Sequence, residues 1–493
     1  MSAHVVAADP PRSQVQHYRY SPWPVRVWPV LRYAAAPFRT LIGAAAAGLV
    51  GAIVLGGPGI GYLITAATIL VVVGCVRSER LTTWHAAGAL VVLALSSVAV
   101  FRTSGWLVTM SAWLAVVVAG TVLSGSWTWK GTFLGALTPV LVPVRVLRWT
   151  SRGVRGLNTG RVHPGRIALV TVVTAILVLV FAALFAGADP AFERLVDVAT
   201  PEWDLGASAR RVALFLLVAG GAIAASYLVV NRPHFDLLAP EPKTKVSLWE
   251  WSIPVSALVA VFCAFVAVQI TSLFGGQAHV VVTDGLTNAE YARQGFWQLL
   301  AVTALTLLVI AIVIRKAARV SVREKTVLRV LLGLLCVLSL VVVASALHRM
   351  SLYERQYGYT TLRLFVTAVE LWLGSVFLLV MLTGIRMSGR WLPRAVGAGA
   401  VLTVLALAVL NPDAYIARHN VERFESTGKI DTSYLSRLSA DAAPELDRLP
   451  EPYRSCVLSA AEPPGSWREW NLADSRAEEI RGGSRQATCV LAR

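Results

Sequence analysis

The sequence predicts an all-α protein: a polytopic bundle of about 11 transmembrane helices followed by a small helical C-terminal domain. Of its 493 residues, 56% are hydrophobic and only 15% are charged, with a mean hydropathy of +0.63. A soluble domain of this size could not cover so much apolar surface with so few charges. Apolar runs without interior charge recur along the chain, and about 20 such residues cross a ~30 Å hydrocarbon core. After residue 410 the composition turns polar, with 11 basic and 13 acidic residues.

Eleven apolar runs are candidate membrane spans, of which the first two are short. They are Leu41–Gly56, Ile60–Val76, Trp84–Phe101, Trp106–Leu123, Ile167–Gly187, Val212–Val230, Trp249–Leu273, Phe296–Ile314, Thr326–Leu347, Thr361–Thr383 and Leu392–Leu410. A further stretch, Thr132–Val144, has only 13 residues and two prolines. We expect this stretch to lie at the membrane interface or to re-enter the membrane without crossing it.

These runs divide the chain into five predicted regions. They are a basic cytoplasmic arm (1–40), a four-span membrane section (41–123), a basic cytoplasmic loop with a possible interfacial helix (124–166), a seven-span core section (167–410) and an extracytoplasmic helical domain (411–493).

The distribution of charge predicts how the chain is threaded through the plasma membrane. If the N-terminus is cytoplasmic and the spans alternate, cytoplasmic segments hold 26 of the 45 Lys and Arg residues, whereas the external loops hold 8. Because cytoplasmic loops are enriched in basic residues, this threading is favoured, and an odd number of spans places the C-terminus outside. Anionic lipid head groups are the expected partner of the inner basic clusters. Nucleic-acid binding is not expected, because basic residues and stacking aromatics are not interleaved in any soluble segment.

The cysteines are consistent with this orientation. Cys456 and Cys489 are the only cysteines in the polar tail, whereas the other three lie within apolar runs. An oxidising exterior would preserve a disulfide between the two. The alternative is a pair of free thiols in a cytosolic tail.

One polar face inside the tenth span forms a candidate polar pocket. Arg363, Thr367 and Glu370 are spaced i, i+4 and i+7, so they share one side of a helix. Glu370 is roughly 15 Å into the span at 1.5 Å per residue, which is near the middle of the bilayer. Together with Gln269 of the seventh span, these residues could form a pocket that opens outward. Alternatively, Glu370 is neutral or hydrogen-bonded and only fixes helix packing.

A second candidate site lies at the predicted outer face. Ten charged or polar residues from four separate segments are expected to meet there: Asp189, Glu193, Glu290, Arg293, Arg349, Glu354, Arg355, Asn411, Asp413 and Arg418. They either seat the C-terminal tail on the loops or line an outward-facing site. We favour the first interpretation, because Arg–carboxylate pairs are common docking contacts.

Local signals predict three further features. In the tail, Asn411 is expected to cap a helix that starts at Pro412 and ends at Gly428. Gly358 is expected to allow the turn before the tenth span. In the sixth span, the small residues Gly220, Gly221 and Ala224 are expected to mark close helix packing.

An ordered set of motifs resembles a known family. The motifs are "ADPAFERL" (188–195), "YARQGFWQLL" (291–300), "SLYERQYGYTTLRL" (351–364), "NPDAYIARHNVER" (411–423), "GKIDTSYL" (428–435) and "LSADAAPEL" (438–446). Over roughly residues 165–450 the chain resembles bacterial multi-spanning membrane proteins classed as domain of unknown function 4173, a family related to 4153. The resemblance implies an integral membrane protein with no agreed activity, and it supplies no catalytic residues.

The sequence leaves three functions open. The first is a structural, scaffold or regulatory envelope protein whose outer domain contacts an envelope protein partner. The second is a transporter or flippase with Arg363 and Glu370 in its path. The third is an envelope enzyme acting on a lipid-linked substrate, for which Asp189, Glu193 and Asp284 are candidates by location alone. Because the sequence contains no His-Glu-x-x-His, paired CxxC or P-loop motif, we expect no catalytic residues, cofactor or metal and favour a protein that is not an enzyme.

Overall fold

A computed structural model confirms that the fold is all-α. It describes residues 27–28, 35–77, 81–156, five single positions between 174 and 185, and residues 205–238, 246–274, 296–318, 320–386, 389–458 and 466–482. Within these ranges the regular structure is helical, and the only β-type pairing is an isolated bridge between Val246 and Ala317.

Most of the described helices coincide with predicted spans. Eight of them are long and apolar enough to cross a membrane, and α1 and α2 are apolar but have 17 residues each. The predicted fifth span, Ile167–Gly187, falls almost entirely outside the described residues. Up to residue 410 the helices are α1 (Phe38–Val54), α2 (Ile60–Val76), α3 (Thr83–Phe101), α4 (Gly105–Ser124), α5 (Trp129–Ala136), α6 (Thr138–Leu141), α7 (Pro143–Gly156), α8 (Leu205–Val230), α9 (Leu248–Phe274), α10 (Phe296–Lys316), α11 (Val322–Tyr357), α12 (Thr361–Arg386) and α13 (Leu392–Leu410).

The proline-containing stretch predicted to be interfacial forms parts of three short helices. Thr128 caps α5 by accepting a hydrogen bond from the Gly131 N–H at 3.1 Å. Pro139 lies in the first turn of α6, and Pro143 begins α7. Proline suits these positions because the first N–H groups of a helix have no partner within it. The two prolines therefore start new helices and prevent one continuous span.

The chain divides into two structural units, and the first comprises residues 1–56, 61–93 and 115–239. Its central feature is the packing of α1 on α8, where Ala44 and Ala47 lie against Val218 and Ala222. A second cluster packs Trp149 of α7 and Tyr227 of α8 around Trp28. Small side chains allow α1 and α8 to approach closely, which is how membrane helices gain van der Waals contact.

Glycines of α1, and not those of α8, mark this close approach. A Cβ atom on Gly48 would lie 2.8 Å from the Ala219 Cβ, and one on Gly51 would lie 2.6 Å from a Val218 methyl. Among the described residues, no atom lies within 4 Å of a Cβ built on Gly220 or Gly221, so this part of the chain does not show the close packing predicted there. Both glycines are exposed, on the side of α8 away from α1.

The second unit comprises residues 57–60, 94–114 and 240–493. Its membrane core is formed by α9, α10, α11 and α12, with Ile310, Leu335 and Phe377 fully buried. Helix α11 has 36 residues, about 54 Å at 1.5 Å per residue, so it extends beyond a ~30 Å hydrocarbon core. Gly358 ends α11 with a φ of +83°, a conformation that glycine adopts without steric cost.

The C-terminal module, residues 411–482, packs around a small apolar core of its own. Its helices are α14 (Pro412–Thr427), α15 (Thr432–Leu435), α16 (Ala443–Leu446), α17 (Tyr453–Leu458) and α18 (Leu472–Gly482), with short 3-10 turns at Ala440–Ala442 and Trp467–Glu469. The core includes Val421, Leu435 and Leu446. Gly428 ends α14 in the left-handed conformation, as predicted.

Asn411 does not have its predicted capping role. Its φ of 59° places it in the left-handed region, where it ends α13 with its N–H bonded to the Leu407 carbonyl. A side-chain N-cap requires extended backbone, so the residue that terminates one helix cannot also cap the next, and no cap bond is formed.

Introducing a side chain at Gly51 should separate α1 from α8. Gly51→Val places two methyl groups where Val218 already lies, and overpacking of this kind costs about 1–3 kcal/mol. We expect a lower thermal midpoint in detergent, measured by size-exclusion chromatography after heating. Gly220→Val is the matched control, because no atom of the described residues lies within 4 Å of a Cβ at Gly220. Equal losses in both variants would contradict the close approach of α1 and α8.

Candidate functional site

The candidate site is the surface where the C-terminal module lies on the ends of membrane helices in the second unit. Each helix ends with up to four N–H or C=O groups that have no partner within the helix. Buried helix ends therefore need hydrogen-bonding groups from elsewhere. In this unit many of those groups come from the module.

Asp441 of the module caps the N-terminus of α4. Its Oδ2 atom accepts hydrogen bonds from the Thr103 N–H at 2.7 Å, the Thr103 hydroxyl at 3.1 Å and the Ser104 N–H at 3.2 Å. Its Oδ1 atom lies 3.4 Å from the Arg102 guanidinium. The side chain is 1% exposed, and burial raises the pKa of this carboxyl despite its donors. An N-cap usually comes from the adjoining residue, but this one comes from 338 positions away along the chain.

The C-terminus of α3 is capped from the same module. The Asn471 side-chain amide donates to the Ala99 carbonyl at 2.5 Å and to the Arg102 carbonyl at 3.0 Å, and Asn471 is completely buried. Close by, the Arg102 Nε donates to the Ala408 carbonyl at 2.6 Å, near the end of α13. The short connection between α3 and α4 is therefore held from several directions.

The connection between α11 and α12 is held in a similar way. The Tyr434 hydroxyl accepts a hydrogen bond from the Thr361 N–H at 2.8 Å, at the start of α12. The Arg423 guanidinium donates to the Gln356 carbonyl at 2.9 Å, at the end of α11. Between them, Asn420 donates to the Tyr359 carbonyl at 2.9 Å and accepts from the Tyr359 N–H at 3.1 Å. A Cβ on Gly358 would lie 2.5 Å from the Asn420 Oδ1, so the contact with Asn420 also requires a glycine at position 358.

The chemistry of each cap matches the polarity of its helix end. N-termini receive acceptors, the Asp441 carboxylate and the Tyr434 hydroxyl. C-termini receive donors, the Asn471 amide and the Arg423 guanidinium. A helix carries partial positive charge at its N-terminus and partial negative charge at its C-terminus. The charged caps therefore add favourable electrostatic energy to their hydrogen bonds.

A cluster of rings and charges lies beside the α11–α12 connection. The Tyr415 and His419 rings of α14 lie 4.1 Å apart, and the Tyr359 ring lies 4.6 Å from His419. The His419 Nδ1 lies 2.9 Å from the Tyr415 carbonyl, which can only accept, so this nitrogen carries a proton. Burial raises the pKa of both tyrosines, and the nearby charge of Glu354 acts in the same direction.

Arg363 belongs to this cluster at the helix end. Its guanidinium donates to the Gly358 carbonyl and lies over the Tyr353 ring, 4.3 Å from the centroid. Arg363 and His419 both interact electrostatically with the buried Glu354. Since Tyr359 and His419 come from different segments, the cluster also joins the module to the membrane helices.

The rest of the predicted outer-face cluster divides into three groups. Asp189, Glu193, Glu290 and Arg293 lie outside the described residues. Arg355 is exposed and Arg349 half-buried, both in the last turns of α11. Asp413 and Arg418 bind within the module: the Asp413 Oδ2 accepts from the Ser439 hydroxyl at 2.6 Å, and Arg418 pairs with Glu445 at 2.6 Å. The Arg418 hydrogen bond lowers the pKa of the Glu445 carboxyl.

The four residues of the predicted polar pocket have different surroundings. Arg363 lies in the cluster at the helix end. Gln269 is 6% exposed and accepts a hydrogen bond from the Ser345 hydroxyl at 3.2 Å. Glu370 is 0% exposed. Within the described part of the chain, neither Glu370 oxygen nor the Thr367 hydroxyl has a hydrogen-bond partner.

Two further predictions concern cysteines and metals. Cys456 is disulfide-bonded, whereas Cys75, Cys263 and Cys336 are free thiols. Cys489, its predicted partner, lies outside the described residues, so the pairing stays a prediction. The described residues include no group of three or more His, Cys, Asp or Glu side chains that could hold a metal ion.

Sequence reasoning missed the residues that carry most of the docking, namely Arg102, Thr103, Asn420, Tyr434, Asp441 and Asn471. Asp441 precedes the module's own next helix, where it resembles an ordinary cap. Tyr434 lies in the family-like segment "GKIDTSYL", but no local pattern indicates that its hydroxyl reaches another helix. The signal that was available was the position of these motifs at predicted outer loops.

Removing the Asp441 carboxyl should loosen the module. Asp441→Ala leaves the Thr103 and Ser104 N–H groups buried without their acceptor, at a cost of about 1–3 kcal/mol. Asp441→Asn should cost less, because its amide oxygen can replace Oδ2. We expect a lower thermal midpoint and faster proteolysis between residues 411 and 482 for the alanine variant, with Glu425→Ala, an exposed module acid, unchanged. Wild-type behaviour of Asp441→Ala would contradict the capping role.

Comparison with known proteins places the chain in a family. It matches the model of a family described as Domain of unknown function (DUF4153) over residues 89–449. No curated protein and no solved structure matches it. The matched range begins upstream of the resemblance drawn from the motifs, and it includes both Thr103 and Asp441 but not Asn471. Because the match covers well over half of the sequence, the chain belongs to the DUF4153 family.

Proposed function

We propose that this protein is a structural, scaffold or regulatory protein of the bacterial cell envelope, whose C-terminal module faces outward as a permanent part of the membrane section. The observation that carries this proposal is the capping of helix ends by Asp441, Asn471, Tyr434 and Arg423. These groups bind the module to the ends of the membrane helices. Such contacts favour the docking interpretation of the family motifs over an outward-facing binding site.

The position of the module supports the proposed threading. It bonds to Ile60, to the α3–α4 connection and to the α11–α12 connection. In the alternating arrangement these connections all lie on the same side as the tail. The bond between the Ile60 N–H and the Trp470 carbonyl, at 3.1 Å, extends this agreement to the first predicted outer loop. A disulfide-bonded Cys456 fits an oxidising exterior.

The same threading places α5 and α7 at the cytoplasmic leaflet of the plasma membrane. Lys130, Arg148 and Arg155 are exposed there, next to the exposed apolar side chains of Phe133 and Leu147. Basic groups beside apolar ones suit an interface rich in anionic lipid. We therefore infer that anionic head groups bind this surface.

The lysines make the proposed threading testable by one labelling experiment. The chain has six lysines, and Lys429 is the only one outside the predicted cytoplasmic segments; the others are Lys130, Lys243, Lys245, Lys316 and Lys325. Lys429 is exposed. A membrane-impermeant amine reagent should label only Lys429 in intact cells, and the other five only after permeabilisation. Lys429→Arg should abolish labelling of intact cells, and labelling of Lys130 before permeabilisation would contradict the proposed threading.

A partner protein should be within reach of the exposed module surface. Arg418, Glu422, Glu425, Arg437 and Arg448 give this surface exposed charges of both signs, which suits a polar protein interface more than a lipid surface. A bifunctional impermeant amine cross-linker should join Lys429 to a defined envelope protein, identified by mass spectrometry. Lys429→Arg controls for attachment at other sites. The scaffold function would be contradicted if wild-type cells gave no adduct beyond those of the variant while Lys429 remained reactive.

A transporter or flippase is the second candidate, and one observation favours it. Glu370 is a fully buried carboxyl without a described partner in a membrane helix, and ionisable groups in such positions often mark transport pathways. Arg363, which this candidate placed in the same path, binds Gly358 and Tyr353 at the helix end. The residues suggested for an enzyme, Asp189, Glu193 and Asp284, lie outside the described residues.

A further inference from the structure

Buried polar side chains of α9, α11 and α12 lie at similar depths inside the second unit. We define the polar layer as Gln269, Ser345, Thr367 and Glu370. Gln269 and Ser345 are each 6% exposed and are joined by a hydrogen bond of 3.2 Å. Glu370 is completely buried, and Thr367 is partly buried with a hydroxyl shielded from solvent.

The register of α11 against α12 places Ser345 and Glu370 at similar depths. Arg363 lies over Tyr353 near one end of the pair. Further along, a Cβ on Gly374 would lie 3.4 Å from a Val343 methyl. The two helices therefore run antiparallel. Residue 363 of α12 lies level with residue 353 of α11, and residue 374 lies level with residue 343. Glu370 then lies level with residues 346 and 347, one to two residues along α11 from Ser345.

The elements packed around Glu370 offer it little compensating charge. The membrane stretches of α10 (298–314) and α13 (395–410), and the part of α4 in this unit (105–114), contain no Asp, Glu, Lys, Arg or His. Helix α9 contributes only Glu250 and Cys263. On α11 the nearest titratable groups are the exposed His348 and the half-buried Arg349, towards the helix end, and Cys336, more than two turns away in the other direction.

Arg363 does not fill this gap. It lies seven residues before Glu370 on α12 and is engaged by the Gly358 carbonyl and the Tyr353 ring. An ionised carboxylate accepts several hydrogen bonds and needs a partner when it is buried. Glu370 has neither a donor nor a cation among the described residues. A neutral carboxylic acid is the form that this environment can accommodate.

We propose that Glu370 is an intramembrane proton-binding site that holds its proton in the folded protein at neutral pH and exchanges it when water enters the polar layer. The ligand is a proton, taken up and released by one carboxyl oxygen with no other bond made or broken. Thr367, one turn away on the same face of α12, supplies a hydroxyl that such water would bind. The Ser345–Gln269 pair lies at a similar depth on α11 and α9. This inference is independent of the docking role of the module.

Infrared spectroscopy on purified protein tests the protonation state directly. A difference spectrum between wild type and Glu370→Gln at neutral pH should contain the carbonyl band of a neutral carboxylic acid. That band should shift in D2O buffer, because an exchangeable proton is replaced by deuterium. A carboxylate band in its place would overturn the proposal. A neutral-acid band that does not shift after prolonged D2O incubation would also overturn it, by showing a structural acid only.

Thermal stability supplies a second readout. Glu370→Gln replaces a neutral acid with a neutral group of nearly the same shape, so its thermal midpoint in detergent should match wild type. Glu370→Ala should lower the midpoint by leaving a cavity. Thr367→Val is the matched control at the neighbouring position and should be tolerated, because its hydroxyl has no partner to lose. A large loss in Glu370→Gln would show that an ionised, paired Glu370 had been disrupted and would overturn the proposal.

Discussion

The unpaired backbone groups at helix ends are the constraint on which the described architecture of the second unit depends. A membrane helix satisfies its interior N–H and C=O groups by itself, but its terminal groups must find partners elsewhere. Here the C-terminal module supplies acceptors to the starts of α4 and α12 and donors to the ends of α3 and α11. Each cap lies in the module, far along the chain from the helix that it completes. The module therefore stabilises the α3–α4 and α11–α12 connections, which would otherwise be held only by the helices that they join.

Two kinds of buried polar group in this unit have different consequences. Asp441 is buried with three donors to its Oδ2 atom and a guanidinium nearby, so its burial fixes one arrangement of the chain. Glu370 is buried as completely but has no such donors among the described residues. A satisfied polar network specifies a structure, whereas an unsatisfied group is costly unless its charge is removed. The first residue is explained by architecture, and the second is the basis of the proton-binding site proposed above.

The sequence predicted the helices well because the hydropathy of a segment indicates directly whether lipid or water surrounds it. Ten of the eleven predicted spans coincide with described helices, and even the prolines of the interfacial stretch act as helix starts. It predicted the candidate site less well. Glu354 lies where the module contacts the membrane helices, and Asp413 and Arg418 form bonds within the module. The predicted pocket, in contrast, grouped Arg363 with Glu370 on helical periodicity alone. Helical periodicity places Arg363 and Glu370 on the same face of α12. The long Arg363 side chain nevertheless puts its guanidinium at the helix end, where it contacts Gly358 and Tyr353.

The sequence by itself determined that this is a helical membrane protein of a family without assigned activity, because apolar length and ordered motifs are local properties. It also indicated a turn at Gly358 and a helix end at Gly428, since both positions require a positive φ. Only the tertiary structure decided which residue caps which helix and why Asn411 ends one helix without capping the next. It also decided that Gly48 and Gly51 pack closely, whereas Gly220 and Gly221 have no neighbour within 4 Å among the described residues. These facts depend on which distant segments meet. Hydrogen bonds and steric contacts between such segments leave no period or spacing in a single sequence.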